Sequence, residues 1–501
     1  MAPASLPTLL PPFDPNPMRR NSRTLLSLLA LSAALPLGAQ KPKAADRTAS
    51  LLTAIDARAA HYGDVARQIW GFAEVGYQEV KSSALLQQEL SAAGFRMTPG
   101  VAGMPTAFTA EYGSGKPVIA ILGEFDALPG LSQDTTPVQH ALVAGGAGHG
   151  CGHNLFGTAA VASAIAVKEW MIANKVSGTL RFYGTPAEEG GAGKVYMVRD
   201  GLFDDVDVAV TWHPGDRNDV NASSSLANIS GKFRFHGVSA HAAASPEKGR
   251  SALDAVEAMD VMVNMMREHV PQETRIHYVI TNGGKAPNVV PDFAEVYYVV
   301  RHPDIKVVDA IWERVLGAAK GAAMGTGTTS EVVVTGAVYN LLINQTLAKV
   351  QQQALERVGG YAYTSQELAW AEKLRASLPP SAIPLEAVGK VQPLDFTPPA
   401  GGGSTDVGDV SWRVPTVQMS AATWVPGTPA HSWQAVAAGG MSIGAKGMVV
   451  AAKTMALTAA ELFTSPATIA AARAEFERSR GPNFVYATRL GTQKPALDYR
   501  K

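Results

Sequence analysis

The single cysteine among 501 residues lies in Gly148-His149-Gly150-Cys151-Gly152-His153-Asn154, beside two of the eleven histidines. Glu188-Glu189, His213-Pro214 and His431 follow downstream. Thiolate, imidazole and carboxylate together form the donor set that a borderline divalent metal such as zinc or manganese takes up. Cys151 and His153 are two residues apart, so an extended loop would turn both side chains to one side. Adjacent carboxylates ordinarily mark a solvated surface, but Ala187-Glu188-Glu189-Gly190-Gly191 follows an apolar run with no basic partner close by in sequence. Neighbouring side chains diverge, so one carboxylate could bind metal while the other faces a water between two ions. That division suits hydrolysis of an amide, whose general base must stay uncoordinated.

Taken singly, each residue has an ordinary explanation. Cys151 could be packed core, His213 a strand terminator, His431 a surface histidine. Three wider alternatives also need weighing. The glycines at 146, 148, 150 and 152 ahead of a helix suggest a phosphate cradle, but no strand leads into them and no Lys-Ser/Thr follows. A thiol nucleophile pairing Cys151 with His149 or His153 would leave Glu188, Glu189, His213 and His431 without a role. A non-catalytic metal- or solute-binding protein accounts for ligands but not for a spare carboxylate beside them.

The elements that must position these residues follow from periodicity. Helical spacing covers residues 51–73 and 82–93, and strand-like runs cover 106–111 and 117–122, the latter ending at Gly123-Glu124-Phe125-Asp126. Residues 155–172 are almost wholly apolar or small, predicting a helix buried on most sides. Strands at 179–184, 206–212 and 414–420 lead respectively to Glu188-Glu189, to His213 and, through a Pro/Gly loop, to His431. Every candidate group therefore sits past a strand's C-terminal end or at a helix start, the edge where α/β sheets assemble their sites. Between them, strands at 227–235, 275–281, 294–301 and 330–335 alternate with helices at 251–269 and 307–323. That order, β-α-β-β-α-β, is the ferredoxin-like split unit. The predicted fold is thus α/β, a catalytic domain with a mixed central sheet (48–225 and 337–465) interrupted by an inserted ferredoxin-like lid or dimerisation domain (226–336). Pro-rich residues 378–399 predict an irregular excursion, and 466–501 a helix followed by a polar tail.

Lys+Arg and Asp+Glu both number 43, so no basic field draws the chain to nucleic acid or an anionic membrane. A hydrophobic content of 46% fits a packed enzyme, and one cysteine excludes an internal disulfide framework. Residues 1–47 form an extension. Arg19, Arg20 and Arg23 precede an apolar run at 25–37 and then Gly38-Ala39, the layout of a secretory signal starting at Met18. The run is too short to span a bilayer. The expectation is a periplasmic or secreted protein, the alternative a cytoplasmic one with a disordered extension.

These residues resemble the aminoacylase/carboxypeptidase family of dinuclear metallohydrolases, in its amidohydrolase branch, from about Tyr62 to Leu462. Residues 148–154 resemble the branch signature His-x-Cys-Gly-His-Asp, with Asn154 in place of Asp. Asp126-Ala127-Leu128-Pro129 is similar to the family's Asp-Ala-Leu-Pro element, with Glu124 where an Asp is common. Within the branch, residues 149–160, 184–194, 211–214 and 404–412 are closest to the p-aminobenzoyl-glutamate hydrolase group. The resemblance implies two divalent ions, Zn2+ or Mn2+, held by a bridging Cys151 with His153, Glu189, His213 and His431. It implies Glu188 as general base and Asp126 orienting a ligand imidazole. His241 resembles a histidine that reaches the scissile carbonyl across a dimer. Asn288 and Arg301 match substrate-holding positions, Arg301 being either a fork for a glutamate carboxylate or a strand-end ion pair. The implied substrate is a small N-acyl or N-aroyl glutamate-type amide, alternatively an N-acyl amino acid or a dipeptide. The implied assembly is a homodimer, or a pairing with a homologous partner chain.

Overall fold

The computed structural model describes residues 47–397 and 402–500, so the expected signal segment lies outside the described residues. In chain order come strands Arg96–Pro99 (β1), Phe108–Ser114 (β2), Val118–Glu124 (β3), Gly178–Thr185 (β4), Val208–Gly215 (β5) and Asp219–Val220 (β6). Ala227–His236 (β7), Arg275–Asn282 (β8), Phe293–His302 (β9) and Thr329–Val338 (β10) follow, and Thr416–Ala422 (β11) is last.

Seven strands form a mixed sheet in the order β1-β2-β4-β3-β5-β11-β6. Its centre, β4-β3-β5-β11, is parallel, with antiparallel strands at both sides. Parallel strands are covered on both faces and therefore read as unbroken apolar runs. Every residue of β3 is buried. Its side chains alternate, so Ile119 and Ile121 join one core with helices His153–Asn174 and Ser442–Thr464. Val118, Ala120 and Leu122 join another with Val195, Met197 and Phe203. Both long helices are apolar enough to cross a membrane, but 83% and 78% of their most apolar stretches are buried inside the protein. The chain passes from β3 to β4 on one side, then to β5 on the other. The order therefore reverses beside β3, and a cleft opens at the C-terminal strand ends there.

Residues 227–338 build a four-stranded antiparallel sheet in the order β10-β7-β9-β8, with helices Ala252–Met266 and Ile305–Thr326 on one face. This is the β-α-β-β-α-β unit that the spacing predicts. Ile229, Phe233 and Phe235 of β7 and Val296, Tyr298 and Val300 of β9 are buried under the helices. The residues of the opposite phase are more polar. β8 is an edge strand whose side chains are mostly exposed.

The structure differs from the sequence reading in four places. His213 lies within β5, whose pairing with β11 continues to Gly215, so it does not follow the strand. Cys151 and His153 are not on an extended loop, because Gly152 turns left-handed between them (φ 75°) and His153 is the first residue of its helix. The first helical run is broken at Arg58 into Ala49–Ala57 and Ala59–Phe72. Helices Gln345–Val358 and Ser365–Arg375, capped by Asn344 and Thr364, precede the irregular excursion.

Candidate metal centre and its pocket

Gly152 sets the local geometry. A Cβ there would come within 2.7 Å of Pro214, and its left-handed backbone is strained for any other residue. That turn brings Cys151 Sγ to 3.4 Å from His213 Nε2. His213 Nδ1 contacts the Pro214 carbonyl at 2.7 Å, an arrangement that protonates Nδ1 and leaves Nε2 a free lone pair. His153 Nδ1 meets Asp126 Oδ1 at 2.9 Å, and its Nε2 stands 3.0 Å from Glu124 Oε2. His431 takes a left-handed backbone (φ 58°), bonds through its N–H to the Gly150 carbonyl at 2.9 Å, and places Nε2 3.1 Å from Glu189 Oε1.

The Glu188-Glu189 loop is held through its main chain. Ala187 is left-handed (φ 57°) and donates its N–H to Glu79 at 2.8 Å. The Glu189 N–H donates to Asp126 Oδ2 at 2.9 Å, and Tyr77 Oη donates to the Gly191 carbonyl at 2.6 Å. Asp126 thus orients an imidazole with one oxygen and the loop with the other.

Five residues named from the sequence converge in two groups that share Cys151. One is Cys151, His153 and His213, the other Cys151, Glu189 and His431, with the ligand atoms of each group within 4.8 Å of one another. A third group joins Glu124, His153 and Glu188. Glu124 Oε2 and His153 Nε2 face each other, and Glu189 Oε1 faces His431 Nε2, but these buried atoms make no well-formed hydrogen bond among the described residues. Such orphaned atoms are costly in a protein interior unless something else satisfies them. A thiol common to two mixed S, N and O sets, with lone pairs converging, fits a pair of divalent ions.

The charges around this centre lie close enough to shift one another. Burial opposes a proton on His153, but Asp126 and Glu124 outweigh it and raise the imidazole well above its ordinary value. Burial, with repulsion from Glu124 and Glu189, pushes the Glu188 carboxyl well above its usual range. Burial also pushes the Cys151 thiol up. Lys194 was not singled out from sequence, yet it is wholly buried, with Nζ 2.6 Å from Glu124 Oε1 and 2.7 Å from Asp406 Oδ1. Burial works against its charge, and Asp406 and Glu124 more than restore it. The ammonium offsets part of the negative charge that Glu124, Asp126, Glu188, Glu189 and Asp406 bring to one edge.

A cavity of about 550 Å³ opens over Cys151, Glu188, Glu189, His213 and His431. Its far wall is the polar phase of the small sheet, with Asn228 and Ser230 of β7 and Tyr297, Val299 and Arg301 of β9. Arg301 Nη1 donates to Ser404 Oγ at 3.2 Å, while its buried Nε has no partner among the described residues. Burial lowers its pKa, and none of its described contacts is a carboxylate, so a strand-end ion pair does not account for it. Asn228, Ser230 and Tyr297 went unnamed in the sequence, though the alternation of β7 was the available signal.

His241 and Asn288 lie elsewhere. His241 is exposed, accepts the N–H groups of Ala243 and Ala244 at Nδ1, and pairs through its backbone with Val289. The Asn288 carbonyl accepts the Ala242 N–H at 3.0 Å, so the two residues are neighbours. Neither lines the cavity of their own chain.

A family model described as a peptidase dimerisation domain matches residues 227–324. The chain is 45% identical over 415 residues to one of the subunits of p-aminobenzoyl-glutamate hydrolase from Escherichia coli K12, covering 78% of this chain and 86% of that protein. It is 28% identical over 462 residues to the mouse Xaa-Arg dipeptidase, covering 89% and 94%. Among solved structures, a Bacillus subtilis dinuclear metal-binding peptidase of the M20 family superposes with a TM-score of 0.56 at 18% identity, over 82% of this chain and 99% of that one.

Proposed function

Because the chain belongs to the M20 family of metal-dependent amidohydrolases, we propose that it hydrolyses the amide of an N-acyl or N-aroyl glutamate. The observation that carries this reading is the sharing of Cys151 by two ligand groups, with Glu188 beside them and Arg301 across one cavity. Cys151, His153, Glu189, His213 and His431 would hold two divalent ions, zinc or manganese. When bound, the ions would acidify a water and polarise the amide carbonyl. Glu188 belongs to neither Cys151 group. Its carboxylate takes the water's proton as the carbonyl carbon is attacked and returns it to the departing amine nitrogen. Asp126 keeps His153 oriented throughout. Arg301 grips the glutamate carboxylate as a rigid fork.

His241 stands outside its own chain's cavity, which supports the reading that it serves a neighbouring protomer, where it would donate to the carbonyl oxygen as charge develops. Asn288, beside it, would help hold the substrate. The 45% identity to a protein named as one subunit of a hydrolase supports either a homodimer or a pairing with a homologous partner. The likeness to the Xaa-Arg dipeptidase favours a second reading, a dipeptidase. The partnerless Arg301 Nε suits a carboxylate and would repel a cationic side chain placed there, which weighs against an Xaa-Arg substrate in particular.

The test is release of glutamate from p-aminobenzoyl-glutamate by metal-loaded protein, against N-acetyl amino acids and dipeptides. Glu188→Gln is expected to lower kcat by about a thousandfold or more with both ions retained. Full activity in that variant would remove Glu188 as base, and dipeptide cleavage without glutamate release would favour the second reading.

A further inference from the structure

Beyond its helix Pro466–Arg480, the chain runs as an ordered segment back to the metal-site loop. Tyr486 Oη donates to Asp409 Oδ1 at 2.7 Å. Arg489 forks onto both oxygens of Asp309 at 2.6 Å, on the helix Ile305–Thr326, while its guanidinium lies 4.3 Å from the Tyr339 ring centre. Leu490 is 2% exposed within the core shared with the small sheet. Arg199 Nη1 then donates to the Gln493 carbonyl at 2.6 Å and Gln78 Nε2 to the Leu497 carbonyl at 2.7 Å. The segment thus reaches its last described residues with little freedom left.

There Tyr499 Oη and Arg500 Nη2 both donate to the main-chain carbonyl of Glu189, at 3.0 and 2.9 Å. The Tyr499 ring packs edge-on against Tyr77, the residue that holds Gly191. The seat is close, since a Cβ on Gly76 would fall 2.1 Å from Tyr499 Oη. Glu189 is therefore gripped at both ends of its backbone, by Asp126 at the N–H and by Tyr499 and Arg500 at the carbonyl. Its neighbours Ala187 (φ 57°) and Ala192 (φ 56°) are left-handed, a conformation that persists in a residue with a Cβ only where its surroundings impose it.

We infer that Tyr499 and Arg500 are positioning residues, which lock the Glu188-Glu189 loop so that Glu189 points to the Cys151 group and Glu188 stays apart from it. The effect on metal binding rests on the proposed role of Glu189 as a ligand, whereas the clamp on the loop does not. The experiment uses the full chain with Tyr499→Phe/Arg500→Met, which removes both donors, and Tyr499→Phe alone should the double variant fold poorly. Hydrogen exchange on metal-free protein reads the clamp directly. Amides over residues 186–192 are expected to exchange about tenfold faster, the worth of one or two hydrogen bonds, with the rest of the chain and the melting temperature unchanged. Manganese titration is expected to show one of two affinities weakened about tenfold, and kcat to fall similarly with KM within about twofold. Arg500→Lys, which keeps a donor, is expected to retain most activity. Unchanged exchange over 186–192 would overturn the inference, as would losses that track a lower melting temperature of the whole protein. If the wild-type chain binds no metal while the variant still exchanges faster over the loop, the metal reading is refuted and the clamp stands.

Discussion

His153 sits between Asp126 and Glu124, so the metal-free protein keeps a proton on an imidazole whose lone pair a cation would need. Cys151 holds its thiol proton because burial disfavours the thiolate. Both groups are shifted towards the protonated form, and both must be deprotonated to coordinate. Metal uptake is therefore expected to release protons, about one each from His153 and Cys151 with any held by Glu188 in addition, and to tighten as pH rises from 6 to 8. Calorimetry in buffers of different ionisation enthalpy measures the release, and an affinity independent of pH over that range would contradict it. The donor residues were legible in the sequence because cysteine, histidine and paired glutamates are scarce and chemically distinctive. Lys194, Asp406 and Glu79 were not. Their partners lie 70 to more than 200 positions away, at Glu124, Asp406 and Ala187, and nothing local distinguishes them from surface charges.

At the scale of elements, Gly152 carries the most. It lets the chain reverse between Cys151 and the first turn of a buried helix. Gly152→Ala would place a Cβ 2.7 Å from Pro214 on a backbone with φ of 75°. It is expected to destabilise by about 2 kcal/mol and to impair binding at the Cys151–His153–His213 group. Thermal unfolding of metal-free protein and metal content after dialysis check the two parts separately. Strands and buried helices were legible because apolar runs and period-two alternation are direct consequences of what covers them. Local details were less so. The end of β5 is set by β11, some 200 residues on, which extends pairing past His213 to Gly215. Helix Gln345–Val358 is polar enough overall to escape notice, although Leu347 and Leu355 are fully buried. The break at Arg58 places its guanidinium against Glu169 on a distant helix, a contact that no window of sequence contains.

For the whole molecule, the small sheet presents two distinct surfaces. Its edge strand β8 exposes Tyr278, Val279 and Ile280, and the helix Ala252–Met266 exposes Val261, Met262 and Met265, an edge unpaired among the described residues and with apolar side chains near it. Such an edge invites pairing with a second chain. Val279→Asp is expected to shift the protein towards monomer by light scattering and to cut kcat more than tenfold by withdrawing the neighbour's His241, with metal content unchanged. A monomer of full activity would show that His241 is not supplied in trans. The sheet's other surface covers the metal cavity, and there the two-residue period of β7 and β9 has a consequence for how the enzyme can change. Asn228, Ser230, Tyr297 and Arg301 point to the cavity, while the residues between them anchor the sheet to its helices. A lineage can therefore exchange what greets the substrate without disturbing what keeps the protein folded. Selectivity drifts on one phase of the strand, and stability is inherited on the other.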